Sequence, residues 1–417
     1  MSTAEPPSPF PQPPAGGRPR ARIVDPSGGA NQTRVRAYNE RLVLSLIRRH
    51  GSLTKAEIAR RTGLSAQTVT VIMRALEEDR LLVRGEPRRG RVGQPSVPMS
   101  LNAEAVWSIG LKIGRRSADL VLMDFLGTVR HRITRTYLYP TPQAVLDFAD
   151  SGLSELAAGL AADQRDRIAG VGIAVPFELW NWAEQVGASA GEMEAWRGFD
   201  LAEAVAARVP WPVFLQNDAT AACGAELVFG GGAEFADFLY LFIGFFIGGG
   251  LVIDHAVFPG RTGTAGAIGP IPVLRPGRPP EQILDHASLA VLENALAEAG
   301  RDPSPLWRRG DDWSGLEPTL GWWIGYTAHW LAVAIVGGCS FVDFQAVIVD
   351  GGFPAGVRQR LVAATRRAMA DLDLQGIQVP QIREGRVGSD ARAIGAAAQP
   401  LFARYLLDRD VLFKAVG

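Results

Sequence analysis

The sequence has little cysteine and lacks any long apolar run. Cys223 and Cys339 are the only cysteines in 417 residues. Their separation excludes a disulfide framework and a zinc site of clustered cysteines, so we expect two buried thiols. No apolar run reaches the roughly 18 residues of a membrane span, and the amino terminus does not resemble a signal peptide. We therefore expect a cytoplasmic protein with no membrane partner.

The chain also lacks net charge, but its charge is unevenly distributed. Residues 1–100 contain 17 lysines and arginines against 8 acidic residues, and the remaining 317 residues contain 26 against 35. The head is therefore basic and the body acidic. This division indicates an anionic partner for the head, either nucleic acid or a membrane surface.

Composition and hydrophobic pattern predict three segments. Residues 1–30 are rich in proline and glycine, which is typical of a disordered tail. Residues 31–102 have the pattern of a small helical domain with a hairpin, and residues 103–417 alternate strands and helices in an α/β pattern. Within the body, residues 106–137 and 237–260 each read as a strand, a glycine turn and a second strand. That similarity indicates a duplicated, two-lobed nucleotide-clamping fold, although it is weak evidence alone.

The head contains the pattern of a helix-turn-helix. Thr54 and Glu57 form a capping box that opens a helix at Lys55, Gly63 lies in the turn, and Ser65 caps a second helix ending near Asp79. In such a motif the start of the second helix faces the DNA bases. The glutamine amide matches adenine, and an arginine further along meets a phosphate. A three-helix bundle with a polar face is the alternative. The residues expected at the DNA are Ser65, Gln67, Thr68, Thr70 and Arg74.

A basic hairpin is predicted directly after this helix. Two extended runs flank a tip that contains Arg88, Arg89 and Arg91. The tip suits either insertion into an A·T minor groove, aided by Gly90, or contact with phosphates alone. Either contact would make DNA binding strongly dependent on salt. The preceding helix, with Arg48 and Arg49 near its end, is expected to pack the domain and to keep its charges at the surface.

Several motifs together carry a resemblance to a known family. They are "NERLVLSLIRRHG", "GLSAQTVTVIMRAL", "GVGIAVP", "PVFLQNDATAACGAE", "IGGGLVIDHAVFPG", "GTAGAIG" and "VIVDGGFP". The chain from about Ala30 onward resembles the ROK family (repressors, open reading frames and kinases), in particular its sugar-responsive transcriptional regulators. The resemblance implies an actin-like (ribonuclease H-like) body of two α/β lobes. It also implies a cleft in which the family's enzymes phosphorylate sugars with ATP and magnesium.

Both phosphate-binding turns of such a kinase are altered here. Lys112 stands where the family has an aspartate, and a cation there repels magnesium. We expect its side chain in solvent or in a surface ion pair rather than on a phosphate. Phe245 and Phe246 replace a small pair whose backbone meets phosphate, and their rings prevent that approach. Alternatively, both phenylalanines are core strand residues.

The sugar side of the cleft is better preserved. The resemblance assigns Asn217 and Asp218 to sugar hydroxyls, with Asp218 as the general base in an enzyme, and an Asn-Asp turn is the alternative. Asp285 replaces a sugar-binding glutamate, or it is a carboxylate at a helix start. Ala267 and Pro270 replace a glutamate and a histidine, so we expect neither a structural zinc nor any cofactor. Trp180, Trp182 and Trp196 could stack on a sugar, although core or dimer packing is favoured.

The sequence thus predicts a DNA-binding transcriptional regulator, more specifically a repressor, that has lost kinase activity. Its expected partners are double-stranded operator DNA, a sugar or sugar derivative, and a second copy of the chain. Losses on the sugar side favour an effector smaller than, less polar than or shaped differently from glucose. The alternatives are an ATP-dependent sugar kinase with Asp218 as base, and a DNA-binding protein that responds to no small molecule.

Overall fold

The computed structural model describes residues 32–88, 96–183, 187–308, 310 and 312–407. The predicted disordered tail, residues 1–30, lies outside the described residues. Within the described ranges, no helix combines the length and the apolar character that a bilayer span requires.

The head is a three-helix domain with a small antiparallel sheet. Its helices pack their apolar faces together, with Val43, Ile58 and Ile72 buried between them. Strand β3 lies between β1 and β2. The elements are α1 (Gln32–His50), β1 (Ser52–Leu53), α2 (Lys55–Thr62), α3 (Ala66–Glu78), β2 (Leu82–Arg84) and β3 (Met99–Leu101).

The first lobe of the body is a five-stranded mixed sheet covered by helices. The strand order is β6-β5-β4-β7-β8. The first three strands form an antiparallel meander, and β7 and β8 run parallel to β4. The elements are β4 (Trp107–Ile113), β5 (Ser117–Asp124), β6 (Val129–Thr136), α4 (Pro142–Ala158), α5 (Ala162–Arg165), β7 (Ile168–Val175), α6 (Ala190–Glu194), α7 (Leu201–Ala206), β8 (Val213–Asn217) and α8 (Asp218–Phe229).

The second lobe repeats this topology. Its sheet has the order β11-β10-β9-β14-β15, with an antiparallel meander and two strands parallel to β9. The predicted duplication is therefore confirmed at the level of strand order and direction. The elements are β9 (Phe238–Ile243), β10 (Ile247–Ile253), β11 (Ala256–Phe258), β12 (Pro272–Val273), β13 (Glu281–Gln282), α9 (Leu289–Glu298), α10 (Thr319–Cys339), β14 (Ala346–Gly351), α11 (Ala355–Ala370), β15 (Gln381–Glu384) and α12 (Ala391–Arg404).

Helix α12 returns from the second lobe and packs on the first. A Cβ added to Gly172 of β7 would lie 1.8 Å from the carbonyl oxygen of Ala396, and one added to Gly395 would lie 2.0 Å from that of Ala221 in α8. Real Cβ atoms do not approach backbone this closely, so any larger residue would push the helices apart. Glycine at both positions lets α12 lie directly against the sheet and α8.

The head and the first lobe share one apolar cluster. Residues of the head's core pack continuously with Met123 and Phe125 of the lobe and with Leu401 of α12. The backbone N–H of Leu407 donates to Ser45 Oγ at 3.0 Å. The head is therefore packed against the body rather than held only by a linker.

One prediction for α1 is wrong at this junction. Arg48 was expected at the surface, but its guanidinium lies 5.2 Å from the centre of the Phe125 ring and 5.3 Å from that of Phe229. It also donates to the carbonyl oxygen of Phe125. Burial lowers the pKa of Arg48 to about 10, so the group stays charged near neutral pH. Only the tertiary fold brings these partners to the helix, since Phe125 is 77 residues away.

Candidate functional site

The helix-turn-helix begins and ends where its capping residues predict. Thr54 Oγ1 accepts from the Glu57 N–H, and the Glu57 carboxylate accepts from the Thr54 N–H at 2.8 Å. Gly63 closes α2 in the left-handed region with φ 71°. Ser65 then caps α3, with its Oγ accepting from the Thr68 N–H.

The start of α3 presents a polar face to solvent. Gln67, Thr70, Val71 and Arg74 are exposed and follow helical spacing, whereas Val69 between them is fully buried. Gln67 is therefore placed as a base-reading residue must be, although its contact with DNA stays a prediction. Val71, which is 56% exposed, adds an apolar group to this face that the sequence reasoning missed.

Four of the predicted DNA-binding side chains already have protein partners. Ser65 Oγ and Thr68 Oγ1 lie 2.8 Å apart, and Thr70 Oγ1 donates to the Ala66 carbonyl. Arg74 pairs with Glu78 at 2.8 Å, with both side chains exposed. Because exposed pairs of this kind contribute little, Arg74 can exchange its partner for a phosphate at small cost.

The winged hairpin is present, but its tip lies partly outside the described residues. Strands β2 and β3 pair antiparallel, and Arg88 forms a backbone bridge with Ser96. The Arg88 side chain is exposed and donates to Ser52 Oγ at 3.1 Å. Arg89 and Arg91 are not among the described residues, so their minor-groove role stays a prediction.

In the body, the first turn contains a buried ion pair instead of a metal-binding aspartate. Lys112, at 8% exposure, donates to Asp119 at 3.0 Å and to Ser117 Oγ at 3.2 Å. The expectation of solvent or a surface ion pair is wrong, because Asp119 on the paired strand β5 lies directly opposite Lys112. Burial lowers the pKa of Lys112, and Arg392 lowers it further.

The second turn meets the first across the cleft. Phe245 and Phe246 lie in the turn between β9 and β10, not within a strand, so the interpretation as strand residues is wrong. The Arg115 guanidinium stacks over the Phe245 ring at 3.7 Å and pairs with Glu293 at 2.8 Å. The Trp307 ring also packs on Phe245, at 5.9 Å between ring centres. Side chains therefore occupy the space between the two turns.

Asn217 and Asp218 lie at the predicted strand end. Asn217 ends β8 and caps α8, with Oδ1 accepting from the backbone N–H groups of Ala219 and Thr220 at 3.0 and 3.2 Å. Asp218 opens α8 and pairs with Arg392 at 3.1 Å. The cap thus occupies the Asn217 carbonyl oxygen, and the Asp218 carboxylate already has a cationic partner. Their binding of a sugar stays a prediction.

Asp285 lies in a short 3₁₀ turn, Ile283–Asp285. Its exposed carboxylate accepts from the Gln282 N–H at 2.9 Å, which is the capping role given as the alternative. The neighbouring His286 is buried, with Nδ1 2.6 Å from Tyr326 Oη and its ring stacked on Trp330. Among the described residues, no cluster of three or more histidine, cysteine or acidic side chains could hold a metal ion. Both cysteines are buried free thiols, as predicted.

Comparison with known families agrees with this geometry. Residues 36–83 match the family described as winged helix-turn-helix DNA-binding, and residues 108–282 match the ROK family. The chain therefore carries a winged helix-turn-helix domain and a ROK-family domain. The predicted fold class, a winged head on an actin-like body, is confirmed.

The curated relatives of this chain include transcriptional regulators. An uncharacterized protein of Sinorhizobium fredii, y4fQ, is 25% identical over 88% of this chain and 92% of its own length. The xylose repressor of Bacillus subtilis is 25% identical over 58% of this chain and 62% of its own length. The regulator NagC of Escherichia coli is 24% identical over 60% and 62%. The match thus spans about three fifths of each of these two regulators.

Solved structures share the ROK fold. A ROK family transcriptional regulator, a homologue of the Escherichia coli Mlc protein, has a TM-score of 0.64 at 18% identity and covers 91% of this chain and 100% of its own. A ROK family glucokinase from Streptomyces griseus, solved with glucose and AMPPNP, has a TM-score of 0.54 at 22% identity, covering 70% and 98%. At these identities the likeness establishes the fold.

Sequence reasoning missed three residues of the ROK cleft. Arg115 follows Gly114 in the first turn, and the unusual pair Arg115-Arg116 was a visible signal. Glu293 is 178 residues from Arg115 and Arg392 is 174 residues from Asp218. Glu293 and Arg392 lie in ordinary helical sequence, in α9 and α12, so no local pattern could have identified them.

The three tryptophans considered for sugar stacking have structural roles. Trp196 is 5% exposed, and its indole N–H donates to the Pro140 carbonyl at 3.0 Å. Trp180 lies against Arg197, and Trp182 makes an edge contact with Phe246 at 5.5 Å. The favoured interpretation, packing, agrees with all three contacts. Trp182 in addition joins the first lobe to the second turn.

Proposed function

We propose that the protein is a DNA-binding transcriptional regulator, in particular a repressor, whose affinity for operator DNA is controlled by a sugar or sugar derivative. Residues 31–102 act as the DNA-binding unit and residues 103–417 as the sensor. The observation that carries this proposal is the exposed polar face of α3 on a head that packs directly against a ROK body. Xylose repressor and NagC, named as regulators among the relatives, support it.

Loss of phosphotransfer is part of the proposal. A kinase needs a metal and a triphosphate held against preorganised donors. Here Lys112 forms a buried pair with Asp119, and Arg115 stacked on Phe245 occupies the gap between the turns. Asp218, the base of the family's kinases, is paired with Arg392. Together these features oppose the binding of ATP and magnesium and the use of Asp218 as a base.

We propose that the regulator binds DNA as a homodimer. Two heads related by a two-fold axis would read a pseudo-palindromic operator with half-sites about 34–36 Å apart or a multiple of that. A sugar bound near Asn217 and Asp218 would favour one angle between the lobes. It can change operator affinity only by binding the two arrangements with different affinity.

The deciding experiment selects duplexes from a random pool with the full-length protein. Mobility shifts on the selected sequence then follow, with and without a panel of monosaccharides and sugar derivatives. A selected palindrome whose binding changes with one sugar supports the proposal. Failure to select any sequence would overturn it.

Two cheaper measurements separate the alternatives. A coupled assay for ADP release with the same sugars should show no turnover above background, and turnover would establish a kinase. The melting temperature should rise when the effector is added, since a ligand at 100 times its dissociation constant stabilises the folded protein by about 2.7 kcal/mol. If no sugar changes either melting or DNA binding, the protein is an effector-independent DNA-binding protein.

A further inference from the structure

A basic cavity lies beside the two turns of the ROK cleft. Its volume is about 220 Å³. Four cationic side chains, those of Lys112, Arg115, Arg116 and Arg392, line it together with Phe245 and Trp307, and no carboxylate of the described ranges does. Lys112 lies in β4 and Arg115 in the turn that follows this strand, whereas Arg392 comes from α12.

Among the described residues, the carboxylates that pair with the cations of the cavity lie outside its lining. They are those of Asp119, Asp218 and Glu293. The basic groups, rather than these partners, therefore face the cavity. In a partly buried site their potential is screened less than at the surface.

Two arginines also have unused hydrogen-bonding capacity. Within the described part of the chain, the Nε atoms of Arg116 and Arg392 are buried and have no hydrogen-bond partner. Buried polar groups are nearly always satisfied in native proteins, so an unsatisfied donor calls for a partner. Guanidinium groups bind carboxylate and phosphate oxygens best, because their N–H groups match such anions in pairs.

The size of the cavity limits the ligand. Pockets that enclose drug-sized ligands have volumes of about 300–1,000 Å³, and this cavity is smaller. A single phosphate or carboxylate fits it, whereas a whole nucleoside triphosphate does not. Arg392 links the cavity to the predicted sugar contacts, since the guanidinium that lines the cavity also binds Asp218.

We propose that this cavity binds one compact anionic group, a phosphate or a carboxylate, carried by the effector. Given the proposed function, on which this inference rests, the effector is a phosphorylated sugar or a sugar acid. Arg116 and Arg392 contact the anion directly.

Direct titration of the full-length protein tests the proposal. Calorimetry would compare inorganic phosphate, glucose 6-phosphate, gluconate and glucose at one ionic strength. The phosphate and carboxylate arms identify which anion the cavity takes. We expect at least one anionic probe to bind and neutral glucose to bind at least ten-fold more weakly.

Two variants and one control assign the binding to the cavity. Arg116→Gln and Arg392→Gln should each lower the affinity for the anion by about ten-fold or more, because each removes a charge-assisted hydrogen bond. Arg116 has a side chain 41% exposed, so its variant should keep the wild-type melting temperature. Arg360→Gln, which removes an exposed arginine paired with Glu317, is the matched control and should bind like the wild type.

The outcomes separate this inference from the proposed function. If no anionic probe binds, or if both cavity variants bind as tightly as Arg360→Gln, the anion site is overturned. Duplex selection with the same preparations reports on the regulator independently. If no anion binds but selective DNA binding is present, only the proposed anion site is refuted. If selective DNA binding is absent, the proposed regulatory function is refuted.

Discussion

At the scale of single residues, two side chains of α3 are suited to different contacts with DNA, one to the bases and one to the phosphates. Gln67 and Arg74 lie seven positions apart, on the same exposed face of the helix. The amide of Gln67 suits a base edge, whereas the guanidinium of Arg74 suits the phosphate backbone. Their contributions to DNA binding should therefore differ in kind.

Replacing Gln67 with alanine should relax sequence preference. We expect Gln67→Ala to lose about 1–3 kcal/mol of discrimination at one base pair of the operator, with weak binding to random duplex unchanged. Competition mobility shifts with single-base operator variants would measure this. Gln143→Ala, on α4 of the body, is the control, and a uniform loss across all sequences would contradict base reading.

Replacing Arg74 with alanine should weaken binding to every duplex alike. Removing one phosphate contact lowers the slope of log affinity against log salt by about 1. Fluorescence anisotropy over a salt series would give this slope. An unchanged slope would show that Arg74 keeps its pair with Glu78 instead.

Arg48 should be important for stability, unlike its neighbour Arg49. Arg48 is enclosed by Phe125 and Phe229, whereas Arg49 is exposed. We expect Arg48→Ala to lower the free energy of unfolding by about 1–3 kcal/mol, since a charge-assisted hydrogen bond is lost. Arg49→Ala should change it by no more than about 0.5 kcal/mol. Urea unfolding of both variants is the test, and equal effects would refute the buried role.

At the scale of elements, the two turns of the cleft pack against each other, and under the proposed function this packing opposes the binding of ATP. Arg115 of the first turn stacks on Phe245 of the second, and its guanidinium pairs with Glu293 of α9. Restoring one family residue leaves the other obstacles in place.

The variant Lys112→Asp should accordingly fail to restore phosphotransfer. It returns the family's aspartate, yet Arg115 and Phe245 still occupy the space between the turns. A coupled ADP-release assay with ATP, magnesium and a hexose panel should remain at background, with a known hexokinase as positive control. Turnover by this single variant would show that Lys112 alone had suppressed the kinase.

The elements also show which features the sequence could predict. The helix-turn-helix boundaries follow from Thr54, Gly63 and Ser65, because capping is a local interaction between residues two to four positions apart. The strand–turn–strand unit that opens each lobe follows from the repeated glycine turns, whereas the full sheet order needed the structure. The pairs Arg115 with Glu293 and Arg392 with Asp218 could not be predicted, since each joins segments more than 170 residues apart. Lys112 was misplaced for the same reason: its burial depends on Asp119 and on the sheet that surrounds both.

At the scale of the whole molecule, the head and body form a continuous apolar core. Buried residues of α1 and α3 pack with β5 and α12 of the body. Domains joined by such an interface move independently less readily than domains joined by a polar one. The orientation of the head should therefore depend on the state of the first lobe.

Thermal unfolding should reflect this shared core. We expect the head and first lobe to unfold in one calorimetric transition, because neither can open without exposing Phe125 and its neighbours. Scanning calorimetry of the full-length protein, with tryptophan fluorescence as a probe of the body and duplex binding as a probe of the head, would measure it. Separate melting of the DNA-binding activity at a lower temperature would contradict the shared core.

Helix α12 connects the two ends of the molecule. Arg392 in its first turn binds Asp218, and beyond its last turn Tyr405 meets Phe125 and Leu407 meets Ser45 of α1. At 14 residues the helix is about 21 Å long. The helix lies against Gly172 and α8 along its side, and Pro400 interrupts its hydrogen bonds near the end that faces the head. We expect a ligand that draws Arg392 away from Asp218 to shift the contacts of Tyr405 and Leu407 with Phe125 and Ser45.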